Sequence, residues 1–244
     1  MGGYMTTYDP KGIKRLLLKL SGEFLAGGSG FGYNNAILDQ LAEDIIELRE
    51  RNYEIGVVIG GGNYFRGKEL TSIDQAAADN VGMLATVQNA IVVSEVLKQK
   101  KQFTKVYSAF PIDKIANLFT HQAADKSMSN GIICFFAGGT GNPFFTTDTA
   151  AILRAIELKC DLVLKGTNVD GIYTADPKKK PGATLIKNIT YSQALQKQLN
   201  VMDMTAFSLA RDYKMPIKVF SIKEKGNLLK AVITAEVGTF VTEK

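Results

Sequence analysis

The chain has 244 residues, 45% of them hydrophobic and 22% charged, with a formal net charge of +5. That balance excludes a disordered chain, which buries too little apolar surface to offset its ordering entropy, and suits one large α/β domain or two small ones. The basic charge is spread thinly, its densest run being Lys178–Pro181 beside a turn, which argues against a nucleic-acid-binding stripe and suits anionic small substrates.

Residues 1–12 read as a flexible leader, although MGGYMT matches the loose myristoylation pattern at Gly2 and Thr6. No secretory h-region follows, and no apolar run approaches the ~18 residues of a membrane span, so the expected compartment is the cytosol, with no membrane partner. Arg15–Leu20 is a short apolar run that predicts a buried strand, and Leu38, Leu41, Ala42, Ile45, Ile46 and Leu48 then recur at helical spacing. Ile55–Gly60 predicts a second strand, followed by a helix carrying Met83, Leu84, Val87, Ala90, Ile91 and Val93. Lys105–Phe110 predicts a third, with a weaker helix from Asp113 to Met128. Ile132–Ala137 and a helix over Thr149–Leu158 come next, then a fifth strand at Asp161–Lys165. The last third is choppier: GIYTADP as a short strand and turn, a helix over Val201–Arg211, then IKVF and GTFV. Continuous apolar strands alternating with amphipathic helices predict an α/β fold, a mostly parallel sheet with helices on both faces. Cys134 and Cys160 sit in apolar runs and read as core residues, since two cysteines make neither a disulfide framework nor a metal cluster.

Ligands of open α/β sheets bind at the carboxyl ends of the strands. Here four such ends are rich in small residues: KLSGE (Lys19–Glu23), GGGNYFRG (Gly60–Gly67), GGTGNPFFTTD (Gly138–Asp148) and KGTNVDG (Lys165–Gly171). All four fall on one edge. Glycine-rich turns into helix N-termini present free N–H groups and partial positive charge, which suit phosphate. Lys19 and Lys165 lie inside otherwise apolar strand ends, where a cation is costly unless it meets an anion. Arg66 adds a cation, Asp148 and Asp203 begin helices, and Asp170 and Asp176 flank the exit of the fifth strand.

Each feature alone has a plainer reading. GGGN is a tight turn, Asp148 and Asp203 are helix caps, Lys19 snorkels to solvent, and Tyr173 is a core aromatic. Convergence on one edge is what separates the two readings. There is no P-loop, no dinucleotide-binding glycine pattern and no protein-kinase signature. His121 is the only histidine and reads as a surface residue, and Ser21 has no base pattern near it. A phosphoryl transfer to an acceptor that is already an anion needs no general base; alignment and charge neutralisation suffice.

The segments KLSGE, VVIGGGNYFRG, ADNVGMLATVQNA, GGTGNPFFTTDTAA, LKGTNVDGIYTADP and VMDMTAFSLARD together resemble the bacterial-type uridylate kinases of the amino acid kinase family, from Leu16 to Val241. The resemblance implies a three-layer αβα sandwich, with an acceptor-binding lobe over about 13–160 and an ATP-binding lobe over about 161–244. It implies transfer from MgATP to UMP and a homohexamer activated by GTP and inhibited by UTP. By motif, Lys19, Leu20, Ser21, Gly22, Gly62, Arg66, Thr167, Asn168, Tyr173 and Asp176 would bind ATP. Gly61, Asp79, Thr140, Gly141, Asn142, Pro143, Phe144, Phe145, Thr146 and Thr147 would bind UMP. Lys19, Asp148, Lys165 and Asp203 would form the catalytic charge network, and Gly27, Gly28, Ser29, Gly30, Phe31 and Gly32 the GTP-responsive segment. The chain departs from the pattern at Asp74-Gln75, where relatives often have Asp-Arg, and at Ser29, where a charged residue is common. Alternatives are a kinase of the same fold acting on a carboxylate, carbamate or isopentenyl phosphate acceptor, or a nucleotide-binding storage or regulatory protein that has lost catalysis.

Overall fold

The computed structural model describes residues 8–65, 72–175, 182–197, 199 and 202–243. Arg66, Asp176, the Lys178–Pro181 run and most of the leader lie outside them. The five apolar runs form strands β1 (Arg15–Leu20), β2 (Glu54–Ile59), β3 (Thr104–Ser108), β5 (Ile133–Ala137) and β6 (Leu162–Thr167). With β4 (Asn117–Leu118), β7 (Asn188–Thr190), β8 (Ile217–Ser221) and β9 (Thr239–Thr242) they make one sheet ordered β4-β3-β5-β2-β1-β6-β8-β9-β7 among the described residues. The β4-to-β8 block is parallel and β9 runs antiparallel to β8. Strands of both expected lobes therefore share one sheet.

Side-chain alternation divides the core in two. Leu16, Leu18 and Leu20 of β1 pack with α2 (Asn35–Glu50), α3 (Gln75–Gln99) and α8 (Asn227–Ile233). Leu17 and Val163 face the opposite way, toward α4 (His121–Ser129), α5 (Thr147–Glu157), α6 (Tyr191–Gln196) and α7 (Met204–Asp212). Helix α1 (Gly22–Ala26) is a single short piece after β1. Both cysteines are buried and His121 is exposed at the start of α4.

Several predicted elements are corrected. The helix expected over 113–128 starts only at His121, because Asn117 and Leu118 pair with Tyr107 and Ser108 as an edge strand and the Thr120 hydroxyl caps α4 at Ala123. The helix expected from Val201 begins at Met204, where the Asp203 carboxylate accepts the Ala206 N–H. GIYTADP yields no named strand among its described residues, only a bridge from Tyr173 to Leu185. Helices α6 and α8 were not anticipated. The expectation that no apolar stretch approaches membrane-spanning length also fails, since α3 is long and apolar enough by length and composition. Its Ala85, Val87, Ala90, Val93 and Leu97 are buried against the sheet, so it serves as a core helix here.

One buried cation lies on the sheet face opposite Lys165, one register step away. Lys218 of β8 is 1% exposed, its Nζ 3.8 Å from the Tyr8 ring centroid and 3.2 Å from the Thr234 carbonyl oxygen. Tyr8 in turn meets Phe240 edge-on and donates to the Val232 carbonyl. Burial, with Lys187 nearby, pushes the Lys218 ammonium down from 10.5 to about 8. Between those values the unfolded chain holds a proton that the folded chain has lost, so this group makes stability rise with pH in that window. Lys218→Met is expected to be as stable as the parent or more so at pH 7, because it removes a buried charge whose desolvation the Tyr8 ring and the Thr234 carbonyl offset only in part. Its advantage should shrink as pH rises toward 10. Thermal melts across pH 7–10 check this; a pH-independent gap would contradict it.

Candidate active site

Lys19 and Lys165 are register partners in adjacent parallel strands. Their side chains therefore leave the same face of the sheet, two like charges side by side and both nearly buried. Such a pair is unfavourable without an anion. Asp148, in the first turn of α5 over that face, supplies it: Oδ1 lies 2.6 Å from Lys19 Nζ and Oδ2 2.6 Å from Lys165 Nζ. The Lys165 contact is a hydrogen bond, whereas the Lys19 contact is a close ion pair without hydrogen-bond angles. Burial acting alone would raise the Asp148 carboxyl, but the two lysines outweigh it and hold the group below its ordinary value. Lys165 is lowered from its ordinary value, first by burial and further by Lys19, and Asp148 offsets only part of this. A buried group poised this way on a ligand-binding edge is a functional candidate.

Asp148 is not the cap of its helix; Thr146 is, accepting the N–H groups of Asp148 and Thr149. That frees the carboxylate for the lysines. Asp203 caps α7 and also receives the hydroxyls of Thr146 and of Thr149, the latter at 3.1 Å. One carboxylate thus ties two helix N-termini together, and both present their positive ends to this edge.

The other predicted residues distribute around this centre. Ser21 precedes α1 and its hydroxyl makes no capping bond. A Cβ on Gly22 would lie 2.3 Å from the Gly60 carbonyl oxygen, so only glycine fits where the first and second corners touch. The Leu20 side chain is core, while its carbonyl accepts the Gly60 N–H. Gly62 approaches the Glu23 side chain. At the third corner Gly138, Gly139 and Gly141 adopt positive φ, and so does Phe144 at 71°, a strained setting for a bulky residue. The Asp79 carboxylate holds it there by accepting the Phe144 N–H at 2.7 Å, while its other oxygen takes Gln75 Nε2 at 2.8 Å. The Thr140 hydroxyl closes a local turn with Asn142. Phe144 and Phe145 remain 72% and 48% exposed. Gly61, Asp79, Phe145 and Thr147 line one cleft of about 140 Å³. At the β6 exit, the Thr167 hydroxyl bonds the Val169 carbonyl, Tyr173 bonds Asp170 at 3.2 Å, and Asn168 is exposed. The Gly27–Ser29 turn is a 3₁₀ piece, and Gly28, Ser29, Gly30 and Phe31 are exposed beside the first corner.

A family model described as the amino acid kinase family matches residues 14–221. The chain belongs to the amino acid kinase family. The uridylate kinases of Klebsiella pneumoniae subsp. pneumoniae and Escherichia coli K12 are each 46% identical to it over 241 residues, 98% of this chain and 100% of theirs. The UMP kinase of Bacillus anthracis superposes with a TM-score of 0.92 at 36% identity, covering 95% of this chain and 96% of that one. For the UMP kinase of Ureaplasma parvum the TM-score is 0.89 at 32% identity, covering 95% and 99%.

For this amino acid kinase chain, motif reading named Asp79 but passed over Gly82, Met83 and Thr86, which line the same cleft. Their spacing from Asp79 puts all four on one helical face, a signal already present in ADNVGMLATVQNA. Among the described residues no cluster of three His, Cys, Asp or Glu side chains could hold a metal ion, and both Asp148 oxygens are committed to lysines. That donor set fits Mg²⁺ arriving on a triphosphate and keeping phosphate and water oxygens as its ligands.

Proposed function

We propose that this chain transfers the γ-phosphoryl group of MgATP to UMP, giving UDP and ADP, a step of pyrimidine nucleotide biosynthesis. The observation that carries this reading is Asp148 bridging Lys19 and Lys165 where β1, β6 and α5 meet, in a chain alike over its whole length to uridylate kinases. A UMP phosphate oxygen attacks the γ-phosphorus in line; the bond to the β,γ-bridging oxygen breaks, and ADP leaves with that charge. The attacking group is already an anion, so no side chain has to remove a proton. Lys19 and Lys165 neutralise the charge spreading over the transferring group. Mg²⁺ carried by ATP would further neutralise the β- and γ-phosphates.

In this reading Lys19, Ser21, Gly22, Gly62 and Arg66 receive the ATP phosphates, and Thr167, Asn168, Tyr173 and Asp176 the adenosine. The 161–244 portion holds the adenosine of the donor, while 13–160 holds the acceptor and meets the donor phosphates. Gly61, Asp79 and Thr140–Thr147 enclose UMP, with Phe144 and Phe145 available to stack on the base. GTP activation through Gly27–Gly32 is supported by the exposure of that segment beside the phosphate corner. Apolar Val81 and Leu84, which α3 leaves exposed, support a subunit contact, and the assembly in this reading is a homohexamer. UTP inhibition and a cytosolic location complete the reading.

Phosphorus-31 NMR of the protein with ATP, Mg²⁺ and equimolar UMP, CMP, AMP and GMP tests it. ADP and UDP resonances should grow while the other monophosphates persist. Preferred consumption of another monophosphate would overturn the acceptor assignment. Turnover only on an added carboxylate or carbamate, or ATP binding without transfer, would favour the alternative readings.

A further inference from the structure

Behind the phosphate corners lies a polar cluster that none of the assignments above uses. Asn89 of α3 is fully buried and Asn63, just after the Gly60–Gly62 corner, is 1% exposed. Their side-chain amides pair reciprocally: Asn89 Nδ2 donates to Asn63 Oδ1 at 2.7 Å, and Asn63 Nδ2 donates to Asn89 Oδ1 at 3.0 Å. The second Asn89 proton goes to the Gly60 carbonyl at 2.7 Å, and its second lone pair takes the Tyr33 hydroxyl at 2.9 Å. The second Asn63 proton goes to the Gly32 backbone carbonyl at 3.0 Å, while the Asn63 backbone carbonyl accepts the Gly32 N–H at 3.1 Å.

Asn89 thus uses both donors and both lone pairs of its amide, its complete capacity. A saturated buried network has one low-energy arrangement, and breaking any member leaves a desolvated group unpaired. Its location is what gives this function. The clasp lies directly against the Gly22 backbone: a Cβ there would be 2.5 Å from Asn63 Oδ1 and 2.9 Å from Asn89 Nδ2. It therefore joins Gly60, two residues before Gly62, to Gly22, and connects both corners to the end of the glycine-rich segment at Gly32 and Tyr33. The aromatic contacts Tyr33–Tyr64 and Phe31–Tyr64, at 5.3 and 5.2 Å between centroids, hold the same segment from outside. Helix α3 meanwhile fixes the acceptor side, through Asp79 to the Phe144 N–H and Thr86 to the Gly138 N–H.

We propose that Asn89 is a positioning residue of phosphoryl transfer: through its clasp with Asn63 it fixes the Gly60–Gly62 corner, which carries Gly62 toward the donor and Gly61 toward the acceptor, and Gly22 relative to Lys19, and the Tyr33 hydroxyl makes that geometry depend on the 27–33 segment. This rests on the donor assignments above. A misplacement of about 1 Å behind a reacting centre can cost on the order of 10²-fold in rate.

The test measures kcat and both Michaelis constants for Asn89→Ala, Tyr33→Phe and the double variant, with Lys19→Ala as control and thermal melts on each. Asn89→Ala should lower kcat on the order of 10²-fold and raise the KM for ATP by a larger factor than the KM for UMP, because Gly22 and Gly62 both face the donor and only Gly61 of the clasped corner faces the acceptor. Tyr33→Phe keeps the ring contacts and loses one hydrogen bond, so kcat should fall roughly threefold to tenfold. The double variant should be little worse than Asn89→Ala, since both act through one link. If Asn89→Ala does not fold, Tyr33→Phe decides alone. Lower melting temperatures with kcat unchanged would make the clasp purely structural and overturn the inference, as would a loss confined to the KM for UMP. If Lys19→Ala itself turns over normally, it is the underlying site assignment that fails.

Discussion

Asp148→Asn is expected to lose most turnover and to destabilise the fold at the same time. The substitution keeps the shape but removes the carboxylate that contacts both ammonium groups, register partners on neighbouring strands. Removing one partner of a buried ion pair costs about 3–5 kcal/mol, and here one carboxylate serves two cations. Loss of their placement against the transferring phosphoryl should lower kcat by roughly 10²–10³. Denaturant titration and steady-state kinetics read the two effects separately. Asp148→Asn combined with Lys165→Met should regain stability, because one of the two facing charges is gone, yet stay inactive. A single variant as stable as the parent would refute the bridge.

The same variant has a pH signature. The folded Asp148 carboxyl lies below its ordinary value of 3.8 because of its lysines, against the opposing effect of burial. Its contribution is complete above that ordinary value and disappears as pH falls through the lower folded one. Asp148→Asn should lack this acid limb. Lys165 behaves oppositely: burial lowers it from 10.5, so its part of the stability rises with pH below that value. Without the carboxylate Lys165 falls further, and the variant should gain stability with rising pH more steeply than the parent.

How far the sequence carries depends on where each signal resides. The central strands were legible because they are buried on both faces and read as unbroken apolar runs; Arg15–Leu20 matches its strand end to end. Strand parity already places Lys19 on the face of Leu17, opposite Leu16, Leu18 and Leu20. It cannot reveal that the partner of Lys19 on β6 is Lys165, because register between distant strands is fixed only by tertiary packing. Short elements were lost for a related reason. Two residues, Asn117 and Leu118, make a strand only by borrowing hydrogen bonds from β3, and the Thr120 cap was the one local sign that the helix starts later. The Asn63–Asn89 clasp was invisible for the same cause: two amides 26 positions apart carry no periodicity, and each reads alone as an ordinary polar residue in a loop or helix.

Lys19→Ala should produce the opposite pairing of effects from Asp148→Asn, a rate loss with little loss of stability. Asp148 keeps its hydrogen bond to Lys165 at 2.6 Å, so no charge is stranded. Lys165 should move back toward its ordinary value once the neighbouring cation that lowers it is gone. What disappears is one ammonium aimed at the edge where the donor phosphates are assigned, worth about 10²–10³ in kcat for a group that acts on transition-state charge. The cleft lined by Gly61, Asp79 and Phe145 does not include Lys19, so the KM for UMP should hold within about twofold. Lys19→Arg tests geometry against charge: a planar guanidinium cannot occupy the site of a compact ammonium 2.6 Å from Asp148 without displacing it, and should restore only part of the rate. Unchanged kcat in Lys19→Ala, or a loss appearing solely in the KM for UMP, would remove Lys19 from the reacting centre and leave the Asp148 bridge as a structural ion pair.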